Sequence, residues 1–307
     1  MGRKRVDEKR IILYINKNIV YVYMYMIHPI ILLLLLLYLS TGICSVEQIS
    51  FSGGGAFGAV EIGILQRILS ENTKKYDRYT GISAGGLNSG FLSYYSNINE
   101  GVKDAEIMYS NLRNNDIYEI LPTTRNSLLN TKPLYKTLST IVANMTNEPV
   151  IETIIGAANL YTGNLDTYLY DSTLDTEDKI KLLMSTSAIP VVFPPIKFKG
   201  YMYADGGTLS NELLDIVHSP DYLNITYITP YDTMIEDDSE IDTIEEMILR
   251  TFRVVKHNYN NPITQLNPNC ETPYGEVNYY YVTPSALSGY SMLNSTLHGS
   301  FMSMPVH

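Results

Sequence analysis

Gly81-Ile82-Ser83-Ala84-Gly85 places a serine with a glycine two residues to either side. That spacing suits a sharp turn from a strand into a helix, which lifts a hydroxyl into the open and leaves only glycine-sized room around it. A serine so placed sits at a helix N-terminus, where free N–H groups and the helix dipole favour negative charge. The chemistry open to it is acyl transfer, an attack on an ester carbonyl that develops negative charge on the substrate oxygen. An ordinary Gly/Ser turn has the same composition, so the pentapeptide alone does not decide.

Acyl transfer also needs donors for that oxygen and a base for the serine. Gly53, Gly54, Gly55 and Gly58 follow Val46 to Ser52, whose alternation of Val46, Ile49 and Phe51 with polar residues predicts a short strand. Ala59 to Leu69 comes next, with Val60, Ile64 and Ile68 on one helical stripe and Glu61 and Arg67 outside it. Consecutive glycine amides at a helix start can stabilise an oxyanion by several kcal/mol. The same residues match the dinucleotide fingerprint, Gly53-x-Gly55-x-x-Gly58, with Asp77 24 residues beyond Gly53. Asp77, however, precedes the second strand instead of ending it. A βαβ unit would set the glycine loop beside the strand and elbow of Tyr79 to Ser83.

The base is sought in Asp205-Gly206-Gly207, delivered by a predicted strand over Tyr201 to Ala204. An aspartate at a strand end before two glycines is a carboxylate held rigidly with open space in front, although Asp-Gly is also a common hairpin turn. Upstream, Thr176 to Ser187 reads as a helix capped by Asp175 or Thr176, ended by the prolines of Ala188 to Pro195. A Ser-His-Asp arrangement is the nearest alternative, with His257 or His298 in the right chain order.

Taken together, Gly53-Gly54-Gly55-x-x-Gly58, Gly81-x-Ser83-x-Gly85, Ser187-Ala188-Ile189-Pro190-x-x-Phe193-Pro194-Pro195 and Asp205-Gly206-Gly207 resemble the patatin-like phospholipases in order and approximate spacing, over roughly Ile49 to Asn211. The resemblance implies a three-layer α/β/α fold and a serine lipid acyl hydrolase of lipid catabolism. Ser83 then matches the nucleophile, Asp205 the carboxylate of a Ser-Asp dyad, and Gly53 to Gly55 the oxyanion loop, helped by the Ala84 amide. Gly58, Gly81, Gly85, Gly206 and Gly207 support the turns. The implied substrate is a phospholipid or acylglycerol at a membrane or lipid surface, with no metal or cofactor. Two positions depart from the pattern: Phe57 stands where members often carry Arg or Lys, and Leu213 where a proline is usual. Both are expected to alter the substrate rim or stability and to leave the chemistry intact. A lipid binder that lost catalysis, and an NAD-binding protein, are the other readings.

The elements that must position these residues come from a chain of 307 residues, 45% hydrophobic, enough for a sizeable core. Six of the 22 basic residues lie before residue 28, leaving 16 basic against 30 acidic from residue 45 onward. That sign disfavours a nucleic-acid partner. Cys44 and Cys270 are too few for a disulfide framework or a zinc site. Ile19 to Leu39 is apolar apart from His28 and Pro29, contains Leu32 to Leu37, and follows a basic flank. Residues 1–44 therefore read as a signal peptide or an N-terminal membrane anchor, which sends the catalytic part to the lumenal or extracellular side. Residues 45–230 are expected to form the catalytic core, and 231–307 a C-terminal extension on the same domain. Sequons at Asn144, Asn224 and Asn294 are no more than composition yields by chance. Residues 112–170 give no motif. The acidic stretch Asp232 to Glu246 reads as a solvated loop and helix start in preference to a calcium site, and the helix after it, closed by His257, turns Met247 inward.

Overall fold

The computed structural model describes residues 45–71, 74–120, 126–211, 213, 222–230, 247 and 277–280. The chain divides into two compact units, Met1–Cys44 and Ser45–His307, and every described residue belongs to the second. The apolar N-terminal segment, all five histidines and most of the acidic stretch and the helix after it thus lie outside the described residues. Of that stretch and helix Met247 alone is described, and it is exposed instead of inward. Among the described residues no helix is long and apolar enough to cross a membrane.

The expected α/β class is observed as a mixed sheet with flanking helices. Strand β1 (Ser45–Phe51) leads through the glycine loop and a short 3-10 turn (Gly55–Phe57) into helix α1 (Gly58–Glu71), and β2 (Arg78–Ile82) leads through Ser83 into α2 (Ala84–Leu92). Then come α3 (Ile98–Asn111), α4 (Lys132–Asn144), β3 (Glu152–Asn159), β4 (Leu165–Leu169), α5 (Thr176–Thr186), β5 (Ile196–Phe198), β6 (Tyr201–Asp205), β7 (Tyr222–Ile228) and β8 (Val277–Tyr280). The sheet runs β5-β6-β3-β2-β1-β7-β8, with β4 paired to β3 off that path. Its centre is parallel: β1 pairs with β2 and β7, β2 with β3, and β7 with β8.

Alternation along β1 decides the two faces of the sheet. Ile49 and Phe51, both fully buried, join Val60, Ile64, Leu65 and Ile68 of α1 in one core cluster. The intervening Gln48 and Ser50 meet Thr80 of β2 in a polar ladder, in which the Thr80 hydroxyl lies 2.9 Å from Ser50 Oγ and 3.1 Å from the Leu213 carbonyl. Leu213 also packs its side chain against Gly156, on the face opposite that of Ile155 and α2. Its departure from the family's proline thus falls in the core. Phe57 is likewise buried in the β1 and α1 cluster, so both positions contribute to packing.

One pairing detail brings the functional residues together. Ile154, Ile155 and Gly156 of β3 pair with β4 along one edge and with β2 along the other. Ala157 and Ala158 still pair with β4, but their second partner is β6, running antiparallel. Strand β6 therefore enters on the edge that β2 vacates, and the two strands meet end to end. The register puts Ile82 opposite Gly156 and Asp205 opposite Ala157, which makes the residues just past the two strand ends neighbours.

Candidate active site

Ser83 occupies φ 55°, ψ −126°, a conformation that a residue with a Cβ adopts only under constraint, at a cost of about 1–3 kcal/mol. Its surroundings supply the constraint. A Cβ on Gly81 would stand 2.2 Å from the Gly85 carbonyl oxygen, and one on Gly85 would stand 2.3 Å from that of Ser52. Strand end, elbow and helix start are thus compressed together, which accounts for the glycine spacing. Thr186, at the end of α5, holds the elbow from the other side. Its hydroxyl accepts from the Ser83 amide at 2.9 Å and donates to the Gly156 carbonyl at 2.6 Å.

The Ser83 hydroxyl donates to Asp205 Oδ2 at 2.6 Å, and both residues are buried. Asp205 Oδ1 accepts from the Gly207 amide at 2.7 Å, so the turn of Gly206 and Gly207 fixes the carboxylate plane. The Asp205 amide donates to the Ala188 carbonyl at 2.8 Å, which ties the end of β6 to the Ser187-to-Pro195 segment. Burial raises the Asp205 carboxyl to about 7, against the smaller opposing effect of the hydrogen bonds from Ser83 and Gly207.

The glycine loop lies against the serine: a Cβ on Gly53 would come within 3.1 Å of Ser83 Cβ. Asn211 Nδ2 donates to the Gly53 carbonyl at 3.0 Å. Because the peptide is trans, the Gly54 N–H of that same unit points the opposite way, away from Asn211. Among the described residues none accepts from the amides of Gly53, Gly54, Gly55 or Ala84. Gly58 opens α1, with room at its Cα for no more than the neighbouring Ala84 methyl and Tyr109 hydroxyl. Together, Ser83, Asp205 and the loop set a hydroxyl bound to a basic carboxylate beside amides that pair with no described residue, an arrangement suited to acyl transfer.

The four motifs that the sequence singled out converge here, and one model of protein families matches residues 49–218 with the description patatin-like phospholipase. The chain belongs to the patatin-like phospholipase family. A curated relative, "Probable lipid hydrolase 463L" of Invertebrate iridescent virus 6, is 29% identical over 189 residues, 55% of this chain. The chain spans 62% of that relative's length. Among solved structures, VipD from Legionella pneumophila aligns with a TM-score of 0.43 at 13% identity, over 83% of this chain and 65% of its own.

Three residues that pack around Ser83 and the glycine loop escaped the sequence reading. Thr186 sits on an amphipathic helix where a threonine carries no distinguishing signal. Asn211 was legible as part of the family pattern, but not as the partner of Gly53. Glu61 was placed outside the apolar stripe of α1, yet it is fully buried. The signal was present: Ala59, Val60, Ile62, Gly63, Ile64 and Leu65 surround it and leave no polar face toward which it could turn. The dinucleotide alternative meets a geometric obstacle, because Asp77 precedes β2 and exchanges hydrogen bonds with Glu47 near the start of β1, at the opposite end of the parallel strands from the glycine loop. Among the described residues no group of three or more His, Cys, Asp or Glu could hold a metal.

Proposed function

We propose that this protein is a serine lipid acyl hydrolase that cleaves carboxylic esters of phospholipids or acylglycerols through a Ser83-Asp205 dyad. The observation that carries the reading is the direct 2.6 Å bond between the serine hydroxyl and a buried carboxylate. In a triad the carboxylate would orient a histidine and not touch the serine. Asp205 Oδ2 takes the hydroxyl proton as Ser83 Oγ attacks the ester carbonyl, and the oxyanion accepts from the amides of Gly54 and Gly55, with Ala84 assisting. Collapse of the intermediate expels the alcohol, to which Asp205 returns the proton. A water molecule then gives its proton to Asp205 and attacks the acyl-enzyme, releasing the fatty acid and restoring Ser83.

The test is fatty-acid release by the full chain from mixed phospholipid and triglyceride vesicles in EDTA, set against Ser83→Ala and Asp205→Asn. Release that disappears in both variants supports the dyad and names the lipid class. Release that survives in Ser83→Ala rejects it. A loss on replacing His218, His257 or His298 as deep as that of Ser83→Ala puts a triad in its place. The N-terminal apolar segment extends the proposal: the catalytic unit works on the lumenal or extracellular side, on lipid presented at a membrane or lipid surface.

A further inference from the structure

Glu61 is a buried carboxyl for which the mechanism above has no use, yet it touches both parts of the site from behind. Its Oε1 lies 3.2 Å from Ser52 Oγ, and its Oε2 accepts from Asn88 Nδ2 at 2.9 Å. Ser52 is the root of the glycine loop. Its amide donates to Ile228 of β7, its carbonyl accepts from the Gly85 amide of the elbow, and its hydroxyl lies 3.1 Å from Thr229 Oγ1 and 3.3 Å from the Gly53 carbonyl. Asn88 stands on α2 behind Ser83. Its second amide hydrogen goes to the Gly58 carbonyl at 3.0 Å, and its Oδ1 accepts from Tyr109 at 2.6 Å.

We propose that Glu61 is a positioning residue of the acyl-transfer site: its carboxyl ties Ser52, at the root of the glycine loop, to Asn88 on the helix behind Ser83. The loop amides are thereby fixed relative to the serine. This rests on the reading of that loop as the oxyanion hole. Hydrogen accounting supports it. Asn88 commits both amide hydrogens, so Glu61 Oε2 is an acceptor. Ser52 has one hydroxyl hydrogen for three neighbouring oxygens, an excess that a proton on Glu61 Oε1, donated to Ser52 Oγ, reduces. Burial, which pushes this carboxyl well above the usual range, favours that protonated form. A neutral carboxyl with one donor and one acceptor is mimicked by glutamine and not by leucine.

The experiment measures kcat and KM of the full chain for a p-nitrophenyl ester in wild type, Glu61→Gln, Glu61→Leu and Ser52→Ala, with thermal unfolding as the control for folding. Glu61→Gln is expected to keep kcat within about threefold. Folded Glu61→Leu and Ser52→Ala lose about 10–100-fold in kcat with little change in KM, because misplaced donors weaken the transition state more than the bound ester. Equal kcat in the Gln and Leu variants, or an unchanged kcat in Ser52→Ala, overturns the inference while leaving the hydrolase reading intact. Should Glu61→Leu not fold, Ser52→Ala decides, since it removes one hydroxyl only. Absence of Ser83-dependent turnover in the wild type overturns the hydrolase reading and the inference together.

Discussion

At the scale of single residues, the role proposed for Asp205 rests on an environment that makes an aspartate basic. Its ordinary value of 3.8 would leave it a weak proton acceptor, whereas burial brings it to about 7, close to a neutral working pH. The base form is the ionised one, so kcat/KM is expected to rise with pH through a midpoint near 7, measured on a soluble ester from pH 5 to 9. The same shift bears on stability with the opposite sign. The folded state holds the proton more tightly than the unfolded chain, so this contribution is fully present below pH 4 and is lost as pH rises through about 7. Asp205→Asn therefore raises Tm at pH 8 and gives little gain at pH 4, while it abolishes turnover. A flat Tm difference across that range would mean that the buried charge is not the cost. Both catalytic candidates were legible in the sequence because glycines flank them. Glu61 was not, since a helix stripe says which face is apolar but not that α1 is enclosed on every side at that level.

At the scale of elements, two contacts hold the elbow, one the close approach of backbone to its glycines and one a pair of side-chain hydrogen bonds. The sequence displayed the first: Gly81 and Gly85 are required because backbone oxygens stand 2.2 and 2.3 Å from where a Cβ would be. The second, from Thr186, is invisible until α5 is packed against β3. Thr186→Val keeps the shape but leaves the Ser83 amide and the Gly156 carbonyl without a partner, at about 1–3 kcal/mol in unfolding free energy. Since Ser83 sits in a strained conformation, that loss is expected to free the elbow and to lower kcat more than it raises KM. Denaturant unfolding and steady-state kinetics on the same preparation check both. Gly85→Ala, by contrast, has nowhere to place its methyl and is expected to yield no folded protein. Strand β3 escaped the sequence reading for a related reason. Residues Ile154 to Ala158 are buried on both faces, so they show no polar alternation, and at Gly156 a Cβ would press on Leu213 and Ile82.

At the scale of the whole molecule, the site exists because the sheet changes direction beside it. Parallel pairing carries the glycine loop and the elbow to the same end of β1 and β2. The antiparallel entry of β6 on the edge of β3 that β2 leaves then brings a carboxylate in from a strand more than 100 residues later in the chain. No local pattern predicts that juxtaposition, although the order of the motifs, through the family resemblance, implied it. The same scale governs where the chemistry is done. If residues 1–44 direct the chain into the secretory pathway, the sequons become reporters of sidedness. Asn144 ends α4 with its side chain exposed, whereas Asn224 lies within β7 and donates to Glu47 Oε1 at 2.7 Å. A glycan on Asn144 would extend into solvent; one on Asn224 would replace the amide hydrogen bond to Glu47. Expression with microsomes is therefore expected to give an endoglycosidase-sensitive mass increase that Asn144→Gln reduces, with Asn224 unmodified in the folded protein. Loss of the N-terminal segment from that product identifies a cleaved signal, and its retention in carbonate-washed membranes identifies an anchor. A chain that stays unmodified and open to added protease would place the unit of Ser45 to His307 on the cytosolic side and reject the secretory assignment.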